Sequence, residues 1–310
     1  MPAAASSSKL RLIKIMPARR KRRRPLPAFT LLFLALLFFL ALQTGLWSRD
    51  SKLTMVINQE EGDVLLAVFN PAVEEITTIV IPQNTQLRAA RQLGTWKAGS
   101  LWQLGKNEKL EGKLLQETVT YYLKLPVIAW ADSPAEGFAN GGLIGLLKAA
   151  ALPDETNLKI GDRIKLALFS FSVKNFKKEE INLAETNLLR KTRLIDGEEG
   201  FILVGDLPVS IQSLFSDLEI SQKKMSLLIS DATGKKGVAE QVGEVVEVLG
   251  AKVAAIKNEE KGEFDCLVSG GDRRAVGKLA RVFSCEKTKE PPSGNFDLEI
   301  RIGEGFARRF

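Results

Sequence analysis

Leu53-Thr54-Met55-Val56-Ile57-Asn58, Val64-Leu65-Leu66-Ala67-Val68-Phe69 and Ile76-Thr77-Thr78-Ile79-Val80-Ile81-Pro82, with their two short connections, decide the fold. Each run is rich in Val, Ile, Thr and Phe, the side chains that suit a pleated strand. Between them Glu61-Gly62-Asp63 and Asn70-Pro71 carry turn chemistry. The pattern predicts a meander of three strands. Pro82 ends the third, because it has no N–H to give a ladder.

Downstream, Gln83 to Gly105 is expected to be loop, with Gly94, Gly99 and Gly105 interleaved with Trp96, Trp102 and cations. Leu110, Leu114, Leu115, Val119, Tyr122 and Leu123 recur at helical spacing, and Pro126-Val127-Ile128-Ala129-Trp130 is a short apolar strand. Leu143–Leu152 and Gly161–Phe171 are apolar segments, and Phe176–Arg190 is charged and mixed. Ser221-Gln222-Lys223-Lys224 interrupts the apolar pattern after Ile220. Beyond it come a strand (Met225–Ser230), a turn (Asp231–Gly237), and a helix with Val238, Val242, Val245, Val246 and Leu249 on one face that stops at Gly250. Strands at Lys252–Ile256 and Phe264–Ser269, a helix at Arg273–Phe283 and a strand at Phe296–Ile302 complete a βαββαβ order.

Upstream, Lys9, Arg11, Lys14 and Arg19 to Arg24 supply nine cations with no acid before Asp50, and Ala28–Trp47 is an uncharged stretch of 20 residues. At about 1.5 Å per residue it spans roughly the 30 Å of a bilayer core. The positive side is expected to stay in the cytoplasm, with the rest of the chain outside, so nothing there can draw on cytoplasmic ATP. A cleaved signal peptide is the competing reading, but its apolar core is usually about 7–15 residues, and Gln43 to Ser48 offers no small-x-small site. Trp47 suits the outer interface as an aromatic anchor. A basic run can also be a nucleic-acid arm, though beside a span it is an orientation signal.

Composition narrows the chemistry. The net charge is +7, but without the nine tail cations 35 Lys and Arg face 37 Asp and Glu, which removes the electrostatic case for nucleic-acid binding. There is no histidine, hence no His-based triad and no imidazole metal site. Two cysteines, Cys266 and Cys285, cannot make a four-ligand zinc site. They form either a disulfide, which an oxidising compartment permits, or two buried thiols. About 260 residues outside a membrane suffice for two ordinary domains.

The loop Thr233-Gly234-Lys235-Lys236-Gly237 could cradle an anion at a helix N-terminus, but it lacks P-loop spacing and a tight turn explains both glycines. Gly270-Gly271 and Asn140-Gly141-Gly142 are turns on the same grounds. Ser133 and Ser170 have no His or Lys partner at a recognisable spacing. Arg88, Arg91, Trp96, Lys97, Trp102 and Lys106 interleave cations with indoles and could grip a sugar or an anionic lipid. The alternative is two core tryptophans with solvated cations around them.

These residues carry a resemblance. Leu65 to about Phe138 resembles the LytR-CpsA-Psr family, membrane-anchored proteins with an extracytoplasmic catalytic domain. Where the family reads Ile-Pro-Arg-Asp-Thr, this chain has Ile81-Pro82-Gln83-Asn84-Thr85. The family's Gly-rich loop with Lys-Ile-Asn-x-Ala-Tyr is matched by Lys97-Ala98-Gly99-Ser100-Leu101-Trp102. Its Gly-Ile-Pro-Ile-Asp and following strand are matched by Leu125-Pro126-Val127-Ile128-Ala129-Trp130-Ala131-Asp132. Residues 226–310 are similar to the LytR C-terminal domain, through Leu227-Leu228-Ile229-Ser230, Asp231-Ala232-Thr233-Gly234, the helix Gly237–Leu249, the strand Asp297–Ile302 and Gly303-Glu304-Gly305-Phe306.

The resemblance implies transfer of a phospho-linked glycopolymer from a polyprenyl carrier to peptidoglycan, with arginines on the pyrophosphate and aspartates holding metal or proton. The departures point elsewhere. Gln83 and Asn84 replace the Arg-Asp pair, and a neutral amide supplies neither a bidentate guanidinium contact nor a carboxylate base. The family's early Arg-x-Asp-Thr is missing, with Lys52-Leu53-Thr54 its nearest counterpart, and so is a later arginine-rich motif.

The expectation is an α/β protein: a basic tail (1–27), a signal anchor (28–47), a mixed-sheet LytR-CpsA-Psr-like α/β domain (48–220) and a small α+β domain (225–310). It would be a non-catalytic, membrane-anchored envelope protein that binds or scaffolds. Its partners would be the lipid bilayer and polyprenyl-phosphate-linked glycan or peptidoglycan. No catalytic residue, cofactor, metal or nucleic acid is expected. Gln83, Asn84, Arg88, Arg91, Trp96, Lys97 and Trp102 form the expected ligand site, with an apolar pocket for an isoprenoid bordered by Gln83, Asn84, Arg88, Trp96 and Trp102. Two alternatives stand beside it: a transferase using Arg88, Arg91 and Asp132, and a structural partner of a membrane complex docking through the small domain.

Overall fold

The meander is present. The computed structural model describes residues 45–48, 50–152 and 155–310, and in it β1 (Leu53–Asn58), β2 (Val64–Asn70) and β3 (Glu75–Ile81) pair antiparallel in sequence order. Gly62 takes φ +91° in the first connection, the left-handed region that favours glycine. The 83–105 segment differs from the loop expectation: it holds β4 (Thr85–Arg88), β5 (Thr95–Lys97) and α1 (Leu101–Asn107). Strands of four and three residues are too short to show a period, and one partner of β4 lies more than a hundred residues downstream.

α2 (Lys113–Tyr122) follows the expected helical spacing, and β6 (Ala129–Ala131) the expected strand. The two apolar segments are helices, α3 (Leu143–Ala151) and α4 (Ile160–Ser172). The charged stretch after them supplies β7 (Lys178–Asn182) and β8 (Leu189–Arg193), then β9 (Glu199–Leu203), α5 (Val209–Leu214) and α6 (Leu218–Lys223). The break at Ser221–Lys224 is thus mostly helix, N-capped by Asp217 and closed by Lys224 at φ +48°. The last part is β10 (Ser226–Asp231), α7 (Val238–Leu249), β11 (Lys252–Asn258), β12 (Cys266–Gly270), α8 (Arg273–Val282), β13 (Glu286–Lys287), β14 (Leu298–Ile302) and α9 (Glu304–Arg309). This is the expected βαββαβ order with a two-residue strand and a terminal helix added.

The described residues form three sheets: β6-β1-β2-β3-β7, β5-β4-β9-β8 and β11-β10-β14-β12-β13. The first is mixed, as expected, since β6 and β7 join its edges in parallel. Its central strands are buried on both faces. Met55, Ile57, Leu65, Ala67 and Phe69 enter one apolar cluster; Val56, Val64, Leu66 and Val68 enter another. That period of two across two cores explains why these strands read as unbroken apolar runs. The first cluster continues into the last sheet through Leu227, Ile229 and Ile300, so described residues from both expected domains share one core.

Among the described residues no helix is long and apolar enough to cross a membrane. The tail and residues 28–44 of the expected span lie outside the described residues. Gly45, Leu46 and Trp47 do not. Trp47 is buried at 2 % exposure, stacks edge-on against Phe169 at 5.8 Å and donates its indole N–H to Ser51 O at 2.7 Å. It is a core residue, not the interfacial anchor expected, so the span cannot reach as far as residue 47. Cys266 and Cys285 are bonded.

Candidate functional site

The expected ligand residues cluster on the turn from β3 into β4 and on the β4–β5 ribbon. Gln83 uses its backbone there, donating its N–H to Asp63 Oδ1 at 2.7 Å and accepting from Gly99 N at 2.9 Å. A Cβ on Gly99 would run into Gln83, so glycine is required where the two segments meet. Asn84 Nδ2 donates to Glu199 O at 3.2 Å and ties the turn to β9. The Asn84 amide holds neighbouring backbone, whereas Gln83 meets its neighbours through its main chain.

The cations are occupied by protein. Arg91, at φ +61°, forms a two-pronged contact with Glu117, Nε to Oε2 at 2.6 Å and Nη2 to Oε1 at 2.9 Å. That pairing raises the Arg91 pKa further above its ordinary value. Lys97 contacts Asp196 Oδ2 at 2.6 Å and also Glu198, which raises its pKa too. Arg88 stands exposed at the end of β4, opposite Thr95.

The two indoles part company. Trp96 is 40 % exposed with its N–H donated to Leu93 O at 2.7 Å, whereas Trp102 lies in the second core, edge-on to Trp130 at 5.9 Å. Trp102 therefore follows the core alternative. The principal cavities are lined by other residues, and the pocket expected between Gln83, Asn84, Arg88, Trp96 and Trp102 is not among them.

A cavity of about 700 Å³ opens instead beyond the carboxyl ends of the parallel pair β1 and β6. This is the edge of an α/β sheet at which ligands usually sit. Glu60 and Glu61 from one loop and Glu136 from the other face it, against one cation, Lys148. Three carboxylates around one ammonium make a poor host for a pyrophosphate. Asp132 follows β6 at this end of the first sheet, and its Oδ2 accepts from Glu155 N at 3.4 Å. Arg88 belongs to a different sheet.

A second cavity, of about 260 Å³, lies where the segment 45–51 meets α4, α6 and α8. Lys278 and Asp217 form an ion pair here with side chains 8 % and 6 % exposed. Lys278 Nζ also donates to Lys52 O at 3.1 Å. Burial pushes Lys278 below its ordinary value, opposed by the Asp217 charge, and burial lowers Lys52 as well. Asp162, fully buried, accepts from Leu46 N at 2.8 Å and Trp47 N at 3.1 Å, and Arg281 donates to Leu46 O. Local spacing does not announce these contacts. The one signal available was a lysine on the apolar stripe of α8.

The Thr233–Gly237 loop is a turn held by its own residues. Asp231 Oδ1 accepts from Thr233 N at 2.8 Å and Oγ1 at 2.6 Å, and Thr233 Oγ1 accepts from Lys235 N at 3.1 Å. Gly234 and Gly237 take φ +66° and +87°.

No family model and no curated protein matches the chain. Solved structures similar to it are of LytR-CPS2A-psr type. The match to B. subtilis TagT covers 51% of this chain and 86% of that one, at 15% identity and a TM-score of 0.37. The LytR-CPS2A-psr family protein YwtF (TagT) with bound octaprenyl pyrophosphate lipid is matched over 51% and 86%, at 14% identity and 0.36. B. subtilis TagV is matched over 51% and 92%, at 11% identity and 0.36.

Proposed function

We propose that this chain is a membrane-anchored cell-envelope protein of LytR-CpsA-Psr type that binds or scaffolds envelope components and transfers nothing. The observation that carries the reading is the state of the expected phosphate grip. Gln83 is fixed in the turn through its backbone, Asn84 holds the backbone of Glu199, Arg91 is engaged by Glu117, and Lys97 by Asp196 and Glu198. A transferase needs preorganised positive groups aimed at the charge that develops on the phosphate. Here Arg91 and Lys97 face carboxylates of their own chain, and the crevice beyond β1 and β6 is rimmed by acids. The motif resemblance supplies the envelope setting, and the uncharged residues 28–44 behind nine cations supply the tether.

The test is turnover. Full-length chain in detergent, given a polyprenyl-pyrophosphate-linked glycan and a peptidoglycan acceptor, is expected to transfer no glycan with or without magnesium. Magnesium-dependent transfer that disappears in Arg88→Ala would overturn the reading in favour of an enzyme with replaced groups.

A further inference from the structure

α3 and α4 pack against each other, yet each carries a second apolar face that none of the described residues covers. On α3 the outward stripe is Leu143, Ile144 and Leu147; on α4 it is Ile160, Leu168 and Phe171. All six are 54–72 % exposed. At 100° per residue the α4 residues fall within about 80° of arc. Phe169 and Asp162, both buried, point to the opposite side. Such helices are apolar on both the core side and the solvent side, an arrangement that marks an interaction surface.

Two observations bear on what would cover these stripes. The first is where the chain comes from. Leu46 N and Trp47 N are hydrogen-bonded to Asp162, two residues from Ile160, and a Cβ on Gly45 would run into the same carboxylate. Gly45, Leu46 and Trp47 therefore lie at the first turn of α4. An extended chain covers at most about 3.6 Å per residue, so a stretch that leaves a bilayer just before Gly45 keeps α4 close to the lipid surface. The second is charge. Lys159 and Lys174 stand just outside the two ends of α4, and Lys177 and Lys178 follow in the same segment. Lys174 lies 5.7 Å over the ring of Phe176, itself 76 % exposed. Apolar faces bordered by lysines suit an interface of acyl chains under anionic headgroups.

We propose that the outward stripes of α3 and α4, with Phe176, form a second contact with the membrane, lying in the headgroup region of an anionic leaflet beside the anchor. The proposal rests on the reading of residues 28–44 as a membrane tether. It adds that the folded part is held flat on the lipid through a surface of its own.

Full-length chain is placed in vesicles of phosphatidylethanolamine and phosphatidylglycerol in equal parts, with an environment-sensitive fluorophore on Ile144→Cys, on Phe171→Cys or, as control, on Ile195→Cys in the β8–β9 turn. The native cysteines are bonded to each other and do not take the label. The first two labels are expected to shift to the blue and to be quenched by lipids spin-labelled near the headgroup, with the Ile195 label unaffected. Leu147→Glu with Leu168→Glu should abolish the shift of the Phe171 label while tryptophan emission stays unchanged, since both positions are exposed. A chain that survives carbonate extraction while all three labels stay in water would overturn the contact and leave the anchor standing. Release by carbonate would remove the anchor and the proposal with it. Self-quenching between labelled copies, without quenching by lipid, would overturn it in favour of a second copy on the stripes.

Discussion

Lys278 sits on the apolar stripe of α8 among Ala275, Leu279 and Val282, where its pairing with Asp217 and its bond to Lys52 O compensate the buried charge. Removing one member of a buried ion pair typically costs about 3–5 kcal/mol, because the other charge is left without a partner. Lys278→Met is expected to lose stability in that range in urea unfolding of the full chain, followed by tryptophan emission. Asp217 has a second role, since its Oδ1 accepts from Glu219 N and Ile220 N at the start of α6. Asn keeps such a cap and drops the charge, so adding Asp217→Asn to Lys278→Met should recover most of the loss. A double variant no better than the single one would assign the cost to packing. This pair shows where residue-scale reading runs out. Two charges 61 positions apart leave no local spacing to find, whereas the exposure of Arg88 and the turn role of Gly62 stand close to the sequence surface. Trp47 and Trp102 mislead for a related reason: an indole serves an interface or a core equally well, and tertiary packing decides.

Elements with a long amphipathic period were legible, and short or mutually paired ones were not. The β1–β3 meander, α2, α7 and α8 follow their apolar spacing, and Gly250 at φ +106° stops α7 where glycine suggested. β4, β5 and β8 were hidden, since they are short and their pairing is non-local. α8 also carries a signature that local sequence does contain. Asp272 caps it, accepting from Arg274 N at 2.9 Å and Ala275 N at 3.1 Å, and contacts Lys223 at 2.6 Å. The Lys223 contact and the two backbone N–H groups hold the Asp272 carboxyl below the ordinary aspartate range. A depressed folded pKa places the stabilisation above roughly pH 4, the ordinary aspartate value, and removes it as pH falls through the lower folded value. Asp272→Ala is expected to cost about 1 kcal/mol near neutral pH, as cap losses do. The gap between wild type and variant should close on acidification below roughly pH 4, tracked by urea midpoints. A gap that stays constant through the acid range would mean the carboxylate charge contributes nothing to the cap.

At the scale of the molecule, the proposed division into 48–220 and 225–310 meets a core that does not divide there. The first and last sheets draw on separate parts of the chain, yet one apolar cluster includes strands from each. Contacts tie the two parts at several places. Lys278 donates to Lys52 O, Lys124 lies 2.9 Å from Glu244, and Tyr121 packs edge-on against Phe310 at 5.2 Å. The disulfide plays no part in this joining, because both cysteines lie on the C-terminal side. A cut at Lys223 or Lys224, both exposed, therefore severs the chain without breaking a covalent cross-link between the parts. Separating them would break the shared apolar cluster, at roughly 25 cal/mol for each Å² of apolar surface returned to water. The expected outcome of limited trypsin treatment is a nick that leaves both fragments together on native size exclusion and apart only in denaturant, with unfolding of the uncut chain in a single step. Fragments that separate in native buffer, each keeping its secondary structure, would establish two independent domains and make the cluster between them an interface.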